Sequence, residues 1–362
     1  FAEPKYWGNE KKYVNQALKS TWISGGEYVD KFEANLAEFH QNKYAITTSN
    51  GTTALHAAFL ALGLKAGDEI VIPSFTYLAA ANVAINMGLK IIFCDVDPNT
   101  WCITKNKIEE CITKDTKAIV AIHTYGNMCD MDDLHKISRK YNLYIIEDAA
   151  EAFGSKYKGK YAGSIGDIGT LSFHSSKTIT TGEGGAVLCN KKQYYDNTTL
   201  IRNHGVSKKR YYHIIPGLNF RLTNLQSAIG LAQMEKSFTI MNRKNEIADL
   251  YYNNLQNIPN ICFQEITKNT FPVIWAFAVL LNVEKKTISR DVLMKKLKKD
   301  GIETRPGFYS ADTMPKIYGT VNTPVASKIS RNIIVLPSSP RLSKSKINYI
   351  VNSLKKHLTN DS

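Results

Sequence analysis

The sequence predicts an α/β fold, with a large domain around a mostly parallel central sheet and a smaller α+β domain at the C-terminal end. Three observations predict it. Short runs rich in Ile and Val alternate with helical stretches through the first two thirds of the chain, which is the element order of a parallel sheet. This alternation ends after about residue 219. The 362 residues are 43% hydrophobic, which is enough to fill the cores of two domains.

Seven runs in the first part of the chain predict strands. Their apolar residues are nearly continuous rather than alternating, which indicates that helices cover both faces of the sheet. Helices between them are predicted at residues 52–62, 75–87 and 131–141. The predicted strands are residues 44–49, 69–73, 90–95, 118–124, 143–147, 170–173 and 185–189. In such a sheet, ligands bind beyond the carboxyl ends of the strands.

The C-terminal third predicts the smaller α+β domain. Residues 224–255 predict one long helix, because Ala228, Leu231 and Met234 recur at helical spacing. Short strands are predicted at residues 275–281 and 333–336, and amphipathic helices at residues 289–300 and 343–358. We therefore expect a large domain over residues 1–240 and a small domain over residues 241–362.

The net charge of +14 comes from 46 Lys and Arg residues against 32 Asp and Glu residues. Of the basic residues, 37 are Lys and are spread along the chain. Surfaces that bind nucleic acids usually favour Arg, often interleaved with exposed aromatic residues. We therefore expect no nucleic-acid partner. A small phosphorylated anion as substrate accounts for the positive net charge as well as a nucleic acid would.

Neither a membrane span nor a metal site is expected. Every long apolar run is interrupted before about 18 residues, as in residues 77–96, where Asn82, Asn86 and Lys90 break the run. The six cysteines form no C-x-x-C pair and the eight histidines are scattered, so we expect reduced, buried thiols and no metal. The first residues show no charged-then-apolar leader, and we expect a cytoplasmic protein.

The strongest local signal for chemistry is residues 172–185. Lys177 follows the end of a predicted strand and precedes a turn rich in hydroxyl groups and glycines. A lysine in such a place can lie in a desolvated crevice, which lowers its pKa and makes the amine nucleophilic. The alternative, which this segment alone leaves open, is that Lys177 is one of many solvated lysines.

A second signal is Asp148, which lies at the end of an apolar predicted strand. A buried Asp needs a cationic or hydrogen-bonding partner to stay ionised. A protonated pyridine nitrogen is such a partner, and this pairing, together with a lysine that holds the cofactor, is typical of pyridoxal phosphate (PLP) chemistry. The alternative is an Asp that merely caps the next helix.

A third signal, residues 49–54, is a turn that leads directly into a helix. Free N–H groups at a helix start, with the hydroxyl groups of Thr52 and Thr53 beside them, can hold a phosphate. By itself this turn is also an ordinary helix cap. A phosphate-binding turn, an Asp and a Lys in one α/β chain are together far more specific.

With these segments, the sequence resembles the DegT/StrS family of nucleotide-sugar aminotransferases over nearly its whole length. The resemblance implies the aspartate-aminotransferase-like fold (PLP fold type I) for the large domain. It also implies PLP as cofactor, with pyridoxamine phosphate formed during the reaction, and a homodimer with a shared active site. The matching segments are residues 21–25, 49–55, 73–82, 147–154, 166–185 and 217–224.

The resemblance also implies a role for each matching residue. Lys177 would hold the cofactor covalently and later move a proton, and Asp148 would keep the ring nitrogen protonated. Asn219 would reach the phosphate from a second subunit. The other implied cofactor contacts are Tyr77 on the ring face, for which a core position is the alternative, and Gly51, Thr52 and Ser172 at the phosphate.

Glu151 departs from the commoner family pattern, in which Gln donates a hydrogen bond to the phenolic oxygen of the cofactor. A carboxylate repels a phenolate unless one of them is protonated, so Glu151 is left open as an acid, a water anchor or the partner of a cation. His174 would contact the cofactor or the sugar, or else be a buried, hydrogen-bonded imidazole. Candidates for the substrate diphosphate and hexose are Arg221, Arg305 and Tyr309, each equally open to a purely structural role.

The reaction that the resemblance implies moves the amino group of L-glutamate to a keto carbon of a sugar nucleotide. Residues 177–185, 229–235 and 302–306 are most similar to members that convert GDP-4-keto-6-deoxymannose to GDP-perosamine, a precursor of the lipopolysaccharide O-antigen. Alternatives are a UDP- or dTDP-linked ketosugar and amination at C3. A dehydratase of the family would carry His in place of Lys177, and a non-catalytic regulator would not need both Lys177 and Asp148.

Overall fold

The computed structural model describes residues 3–209, 211–282, 288–319 and 321–359, and within them seven strands form a central sheet. The strands are β1 (Tyr44–Thr48), β2 (Glu69–Pro73), β3 (Lys90–Cys94), β4 (Thr116–Ile122), β5 (Tyr144–Asp148), β8 (Ile168–Ser172) and β9 (Gly185–Cys189). Their spatial order is β1-β9-β8-β5-β4-β2-β3. In this sheet β9 runs antiparallel to both of its neighbours, and the other paired strands are parallel. The prediction of a mostly parallel sheet is confirmed.

Helices cover both faces of this sheet. In β2, the side chains of Ile70 and Ile72 lie in one hydrophobic cluster and that of Val71 lies in another, and all three are fully buried. This two-sided burial explains the unbroken apolar runs of the strands. The helices of this region are α1 (Glu10–Lys19), α2 (Glu27–His40), α3 (Gly51–Ala61), α4 (Ala79–Asn86), α5 (Lys105–Glu109), α6 (Met131–Tyr141), α7 (Lys192–Arg202) and α8 (Asn224–Met234).

The C-terminal part has a hydrophobic core of its own, which includes Tyr251, Val279 and Leu354. Its small antiparallel sheet consists of β10 (Ile261–Cys262), β12 (Ala278–Leu281) and β13 (Ile333–Val335). Its helices are α9 (Ser237–Leu255), α10 (Arg290–Lys299), α11 (Pro324–Asn332) and α12 (Lys344–Thr359). A third sheet joins the two parts, because β11 (Thr270–Phe271) pairs with β6 (Lys156–Tyr157), which pairs with β7 (Lys160–Tyr161). The domain boundary near residue 240 stays a prediction.

The single long helix expected over residues 224–255 is wrong. The chain forms α8 and α9, with a break at Glu235 and Lys236. The Glu235 carboxylate accepts hydrogen bonds from Asn9 at 2.7 Å and from Tyr13 at 2.5 Å. The two helices pack against different partners, since α8 contacts α1 and α2 whereas α9 contacts α12.

Two smaller predictions also need correction. The helix expected over residues 75–87 begins only at Ala79, because Phe75 is fully buried in a bridge to Ser310. All six cysteines are free thiols, but Cys262 is exposed and Cys111 is half-buried. Over the described ranges, the structure contains no helix long and apolar enough to cross a membrane.

Candidate active site

A cavity of about 660 Å³ opens beyond the carboxyl ends of the parallel strands. β5 and β8 end at this cavity, and the turn after β1 leads from it into α3. Ligands bind at this position in open α/β sheets. The structure brings eight of the predicted site residues into the cavity lining: Gly51, Thr52, Tyr77, Asp148, Glu151, Ser172, His174 and Lys177.

Lys177 points into the cavity, and its side chain is only 14% exposed. The alternative of a solvated lysine is therefore wrong. Its Nζ lies 3.9 Å from Glu151 Oε1 and 3.9 Å from the centroid of the Trp275 ring. Burial lowers the pKa of Lys177, and the nearby carboxylates of Glu151 and Asp148 oppose this only in part. The amine can thus lose its proton more readily than an ordinary lysine and act as a nucleophile.

Asp148 ends β5 and is almost completely buried. Its Oδ1 accepts a hydrogen bond from the Ala150 N–H at 3.1 Å. Burial raises the pKa of Asp148, although this hydrogen bond and the positive charge of Lys177 oppose the shift. The protein therefore stabilises the negative charge of the Asp148 carboxylate only in part, and a cationic ring nitrogen in the cavity would stabilise it further.

Next to Asp148 in the chain, Glu147 forms a buried hydrogen bond with His123, which no sequence motif indicates. His123 Nε2 lies 3.0 Å from Glu147 Oε2, and both side chains are fully buried. The His123 Nδ1 accepts the Cys129 N–H at 3.3 Å, so Nε2 carries the proton and donates it to Glu147. Burial alone would raise the pKa of Glu147, but this bond and the N–H groups of residues 163 and 166 outweigh it, and the pKa is lowered. The pair fixes the end of β5 and hence Asp148.

The start of α3 forms a rigid N-terminal turn. The Asn50 side chain accepts the Thr53 N–H at 2.9 Å, and the Asn50 N–H donates to Thr53 Oγ1 at 3.1 Å. Within the part of the chain that the structure describes, the N–H groups of Gly51 and Thr52 have no protein acceptor. A Cβ on Gly51 would lie 2.9 Å from the Cβ of Ser172. The turn therefore leaves two N–H groups for an anion, next to the Ser172 hydroxyl.

Glu151 reaches the cavity through one oxygen only. Its Oε2 accepts the Tyr125 N–H at 2.9 Å, and its Oε1 lies on the Lys177 side. Tyr125 has a φ of 58°, so the backbone adopts a left-handed conformation to present this N–H. Burial raises the pKa of Glu151 to about 7, against the opposing charge of Lys177. At neutral pH this side chain can therefore hold a proton and donate it.

Tyr77 and His174 occupy the open side of the cavity. Tyr77 is 68% exposed, so the alternative of a core tyrosine is wrong. The His174 ring has Nδ1 at 2.9 Å from Ser176 Oγ and Nε2 at 3.8 Å from Glu183 Oε1. Because His174 is exposed, the alternative of a buried imidazole is also wrong. Both side chains are accessible to a ligand.

Four of the predicted site residues lie outside the lining of this cavity. Arg221 donates to Asn203 Oδ1 at 2.7 Å, and Arg305 donates to Glu303 Oε1 at 2.6 Å. Their roles stay predictions. The four residues are Asn219, Arg221, Arg305 and Tyr309.

Two aromatic residues of the cavity were not expected. Trp275 and Phe308 line it from a distant part of the chain, and Phe308 stacks on Tyr125 with ring centroids 5.2 Å apart. Neither residue belongs to a motif, because each enters the cavity through tertiary packing. No local signal in the sequence could have identified them.

The chain is similar to known proteins over nearly its whole length. GDP-perosamine synthase of Escherichia coli O157:H7 is 44% identical over 356 residues, which are 97% of this chain and 96% of that protein. GDP-perosamine synthase of Vibrio cholerae is 39% identical over 360 residues, 98% of each chain. A solved variant of GDP-4-keto-6-deoxymannose-3-dehydratase with bound GDP-perosamine has a TM-score of 0.91 at 26% identity, and the match covers 98% of this chain and 99% of that one.

The profile of the DegT/DnrJ/EryC1/StrS aminotransferase family matches residues 5–355. The match spans both hydrophobic cores of the large part and the core of the C-terminal part, so it concerns the whole fold. The expected fold is confirmed by the solved aminotransferase from Psychrobacter cryohalolentis, which has a TM-score of 0.90 at 28% identity and covers 98% of this chain and 97% of that one. The chain belongs to the DegT/DnrJ/EryC1/StrS aminotransferase family.

Proposed function

We propose that this enzyme moves the amino group of L-glutamate to C4 of GDP-4-keto-6-deoxy-D-mannose and so produces GDP-perosamine. The observation that carries the proposal is the burial of Lys177 and Asp148 in one cavity, in a chain that matches two proteins named GDP-perosamine synthase over nearly its whole length. A UDP- or dTDP-linked ketosugar is the alternative substrate.

The residues of the cavity fit PLP as the cofactor. Asp148 would pair with the ring nitrogen, and the N–H groups of Gly51 and Thr52 with the Ser172 hydroxyl would hold the phosphate. When bound, the cofactor supplies an electron sink for the carbon that loses or gains a proton. Lys177 would hold the cofactor covalently at rest and move that proton during the reaction.

Lys177 also separates this proposal from dehydration. The fold neighbour described above is named a 3-dehydratase, and the dehydratases of the family replace the lysine with His. A lysine whose pKa is lowered by burial can both attack the cofactor and carry a proton. The presence of both Lys177 and Asp148 disfavours a regulator that binds the cofactor without catalysing a reaction.

A homodimer with a shared active site is part of the proposal. Large apolar side chains are exposed on the segment that carries Asn219, where Tyr211 is 77% and Ile214 52% exposed. Trp22, before α2, is 70% exposed. Apolar exposure of this kind indicates an interface. The Phe220 carbonyl accepts the Ser49 N–H at 2.8 Å, so the segment ends beside the turn of the proposed phosphate site. Asn219 would enter the cavity of a second copy.

The proposed location and pathway follow from the proposed product. A GDP-linked amino sugar is an activated donor for glycosyl transfer, and the lipopolysaccharide O-antigen is its expected destination. We place the reaction in the cytoplasm, where nucleotide sugars and L-glutamate are available together.

The test is spectroscopic and then chemical. The purified protein should be yellow and should bleach when L-glutamate is added, and only GDP-4-keto-6-deoxymannose among GDP-, UDP- and dTDP-linked ketosugars should restore the colour. The variant Lys177→Ala should lose a factor of about 10² to 10⁴ in rate. Turnover of only a UDP- or dTDP-linked ketosugar would overturn the GDP assignment, and a yellow protein that ignores every amino donor would overturn the transaminase.

A further inference from the structure

The indole of Trp275 forms one wall of the space around the Lys177 amine. Lys177 Nζ lies 3.9 Å from the centroid of the ring, which is within cation–π distance. The indole N–H donates to the carbonyl of Ser176 at 2.7 Å, directly before Lys177 in the chain. The same side chain thus contacts both the amine and the backbone that carries it.

The backbone of Trp275 is held from two further sides. Its N–H donates to the Tyr125 carbonyl at 3.1 Å, and its carbonyl accepts Lys244 Nζ at 2.8 Å. Lys244 is buried in α9 and also donates to the Ser338 carbonyl at 2.9 Å. These bonds fix the backbone of Trp275, and the indole cannot turn away from Lys177 without breaking its own bond to the Ser176 carbonyl.

Among the described residues, no carboxylate lies within hydrogen-bond distance of the Lys177 amine. Glu151 is 3.9 Å away, beyond hydrogen-bond distance, and its pKa of about 7 leaves it partly protonated. Asp148 lines the same cavity, and its proposed partner is the ring nitrogen of the cofactor. When the freed lysine carries a proton, the Trp275 ring face and the Glu151 carboxylate, each 3.9 Å from Nζ, both favour its charge.

We infer that Trp275 is a positioning residue for Lys177: once the freed amine has taken up a proton from the substrate, the indole would hold the resulting ammonium group in place until it passes that proton on. The inference rests on the proposed function, because it assigns a place to the lysine between its two bonded states. The contact itself is a property of the chain without its cofactor and can be tested separately.

The variants Trp275→Phe and Trp275→Leu separate the two contacts. Phe keeps a weaker aromatic face and loses the N–H bond to Ser176, whereas Leu loses both but keeps the cavity apolar. The backbone bonds to Tyr125 and Lys244 remain in each variant. The matched control is Trp101→Phe, because Trp101 also lies 6.2 Å from the Tyr125 ring but does not line the cavity.

The first measurement uses the full-length protein freed of cofactor. Labelling of Lys177 by acetic anhydride over a range of pH, read by peptide mass spectrometry, gives the pH at which the amine titrates. The charged and titratable groups that face it are Asp148, Glu151, His174, Glu183 and Lys244, and all are unchanged in the variants. Loss of the ring should lower this pH by about 0.5 to 1 unit in Trp275→Leu and by less in Trp275→Phe.

The second measurement uses the enzyme with its cofactor. The rate of bleaching by L-glutamate should fall by about tenfold in Trp275→Leu and less in Trp275→Phe, with Trp101→Phe near the wild type. Equal labelling profiles in the wild type and Trp275→Leu would overturn the inference, even if the bleaching rates differed. If the wild type never bleaches, the proposed function fails, but the labelling result still decides whether the indole holds the ammonium group.

Discussion

At the scale of single residues, the site consists of ionisable groups that are buried without full compensation. Burial lowers the pKa of Lys177 and raises the pKa of Asp148 and of Glu151. Each shift favours the neutral form, since the cavity solvates charges poorly. For Lys177 and Glu151 these shifts suit proton transfer near neutral pH, because a useful acid or base titrates close to the working pH.

Replacing Glu151 with Gln should change how the stability of the cofactor-free protein depends on pH. The pKa of Glu151 rises from 4.5 to about 7 on folding, so between these values the folded protein binds a proton that the unfolded chain releases. The free energy of unfolding therefore falls as the pH rises through this window, by up to about 3 kcal/mol. Gln does not ionise, so thermal midpoints of the Glu151→Gln variant should fall less steeply across the same window.

The Gln variant is a close control for packing, because its amide oxygen can still accept the Tyr125 N–H. Asp148 contributes a slope of the same sign in both proteins, and this part cancels in the comparison. Equal slopes for wild type and variant would show that the pKa of Glu151 is not raised. Because Gln is the commoner residue in the family, we expect the variant to bind the cofactor and to keep transaminase activity.

Several site residues could be predicted because local chemistry marks them. Lys177 and Asp148 stand where predicted strands end, and Gly51 with Thr52 stands where a helix begins. Trp275 could not be predicted, since its position depends on the packing of α9 and on the hydrogen bond that Lys244 donates to the Trp275 carbonyl. Whether Tyr77 and His174 are buried or accessible to a ligand could be decided only from the solvent exposure of their side chains, which is a property of the folded chain.

At the scale of elements, the site depends on how closely α3 approaches β8 and β9. A Cβ on Gly185, the first residue of β9, would lie 2.4 Å from the Asn50 carbonyl oxygen. A Cβ on Gly51 would meet Ser172 from the other side. Two glycines therefore set the distance between the helix start and the sheet, and so the width of the proposed phosphate site.

The variant Gly51→Ala should bind PLP about ten- to a hundredfold more weakly. The added methyl group lies 2.9 Å from the Ser172 Cβ, and the Asn50–Thr53 bonds resist movement of the turn. Overpacking of this kind costs about 1 to 3 kcal/mol. Titration of the cofactor-free protein with PLP, followed by absorbance, measures the affinity.

Gly8→Ala is the matched control for this test. A Cβ there would make only an ordinary contact at 3.4 Å with the Lys236 side chain. Its affinity for PLP should equal that of the wild type. If Gly51→Ala also kept its affinity, the phosphate would not bind at the start of α3.

The strands were easier to predict than the helices. All seven strands of the central sheet lie within a few residues of their predicted bounds, because burial on both faces leaves an unbroken apolar run. The break between α8 and α9 was missed, since apolar spacing continues across it and only tertiary partners differ. α2 was also missed, although its buried Tyr28, Phe32, Leu36 and His40 recur every four residues, which is a readable helical signal.

At the scale of the whole molecule, the proposed homodimer predicts complementation between inactive subunits. Lys177→Ala removes the proposed nucleophile, and Asn219→Asp places a negative charge where a second copy would hold the phosphate. Each variant alone should be inactive. A co-expressed mixture should regain about one quarter of wild-type activity, because half of the dimers are hybrids and each hybrid has one intact site.

Analytical ultracentrifugation of the mixture should show the same dimer mass as the wild type. A mixture no more active than its parents would show that Asn219 does not act across subunits. An active Asn219→Asp variant would show that Asn219 is not needed at the phosphate at all. Either result would contradict the shared site while leaving the assignments of Lys177 and Asp148 unaffected.

The strand order also has a consequence for synthesis of the chain. β1 lies at one edge of the sheet, and its neighbour β9 follows it only after about 140 residues. At ribosomal speeds of about 5 to 20 residues per second, β1 waits on the order of ten seconds for its partner. The turn of the proposed phosphate site, which directly follows β1, is therefore among the last features of the large part to form, and we expect a truncated nascent chain that lacks β9 not to retain the cofactor.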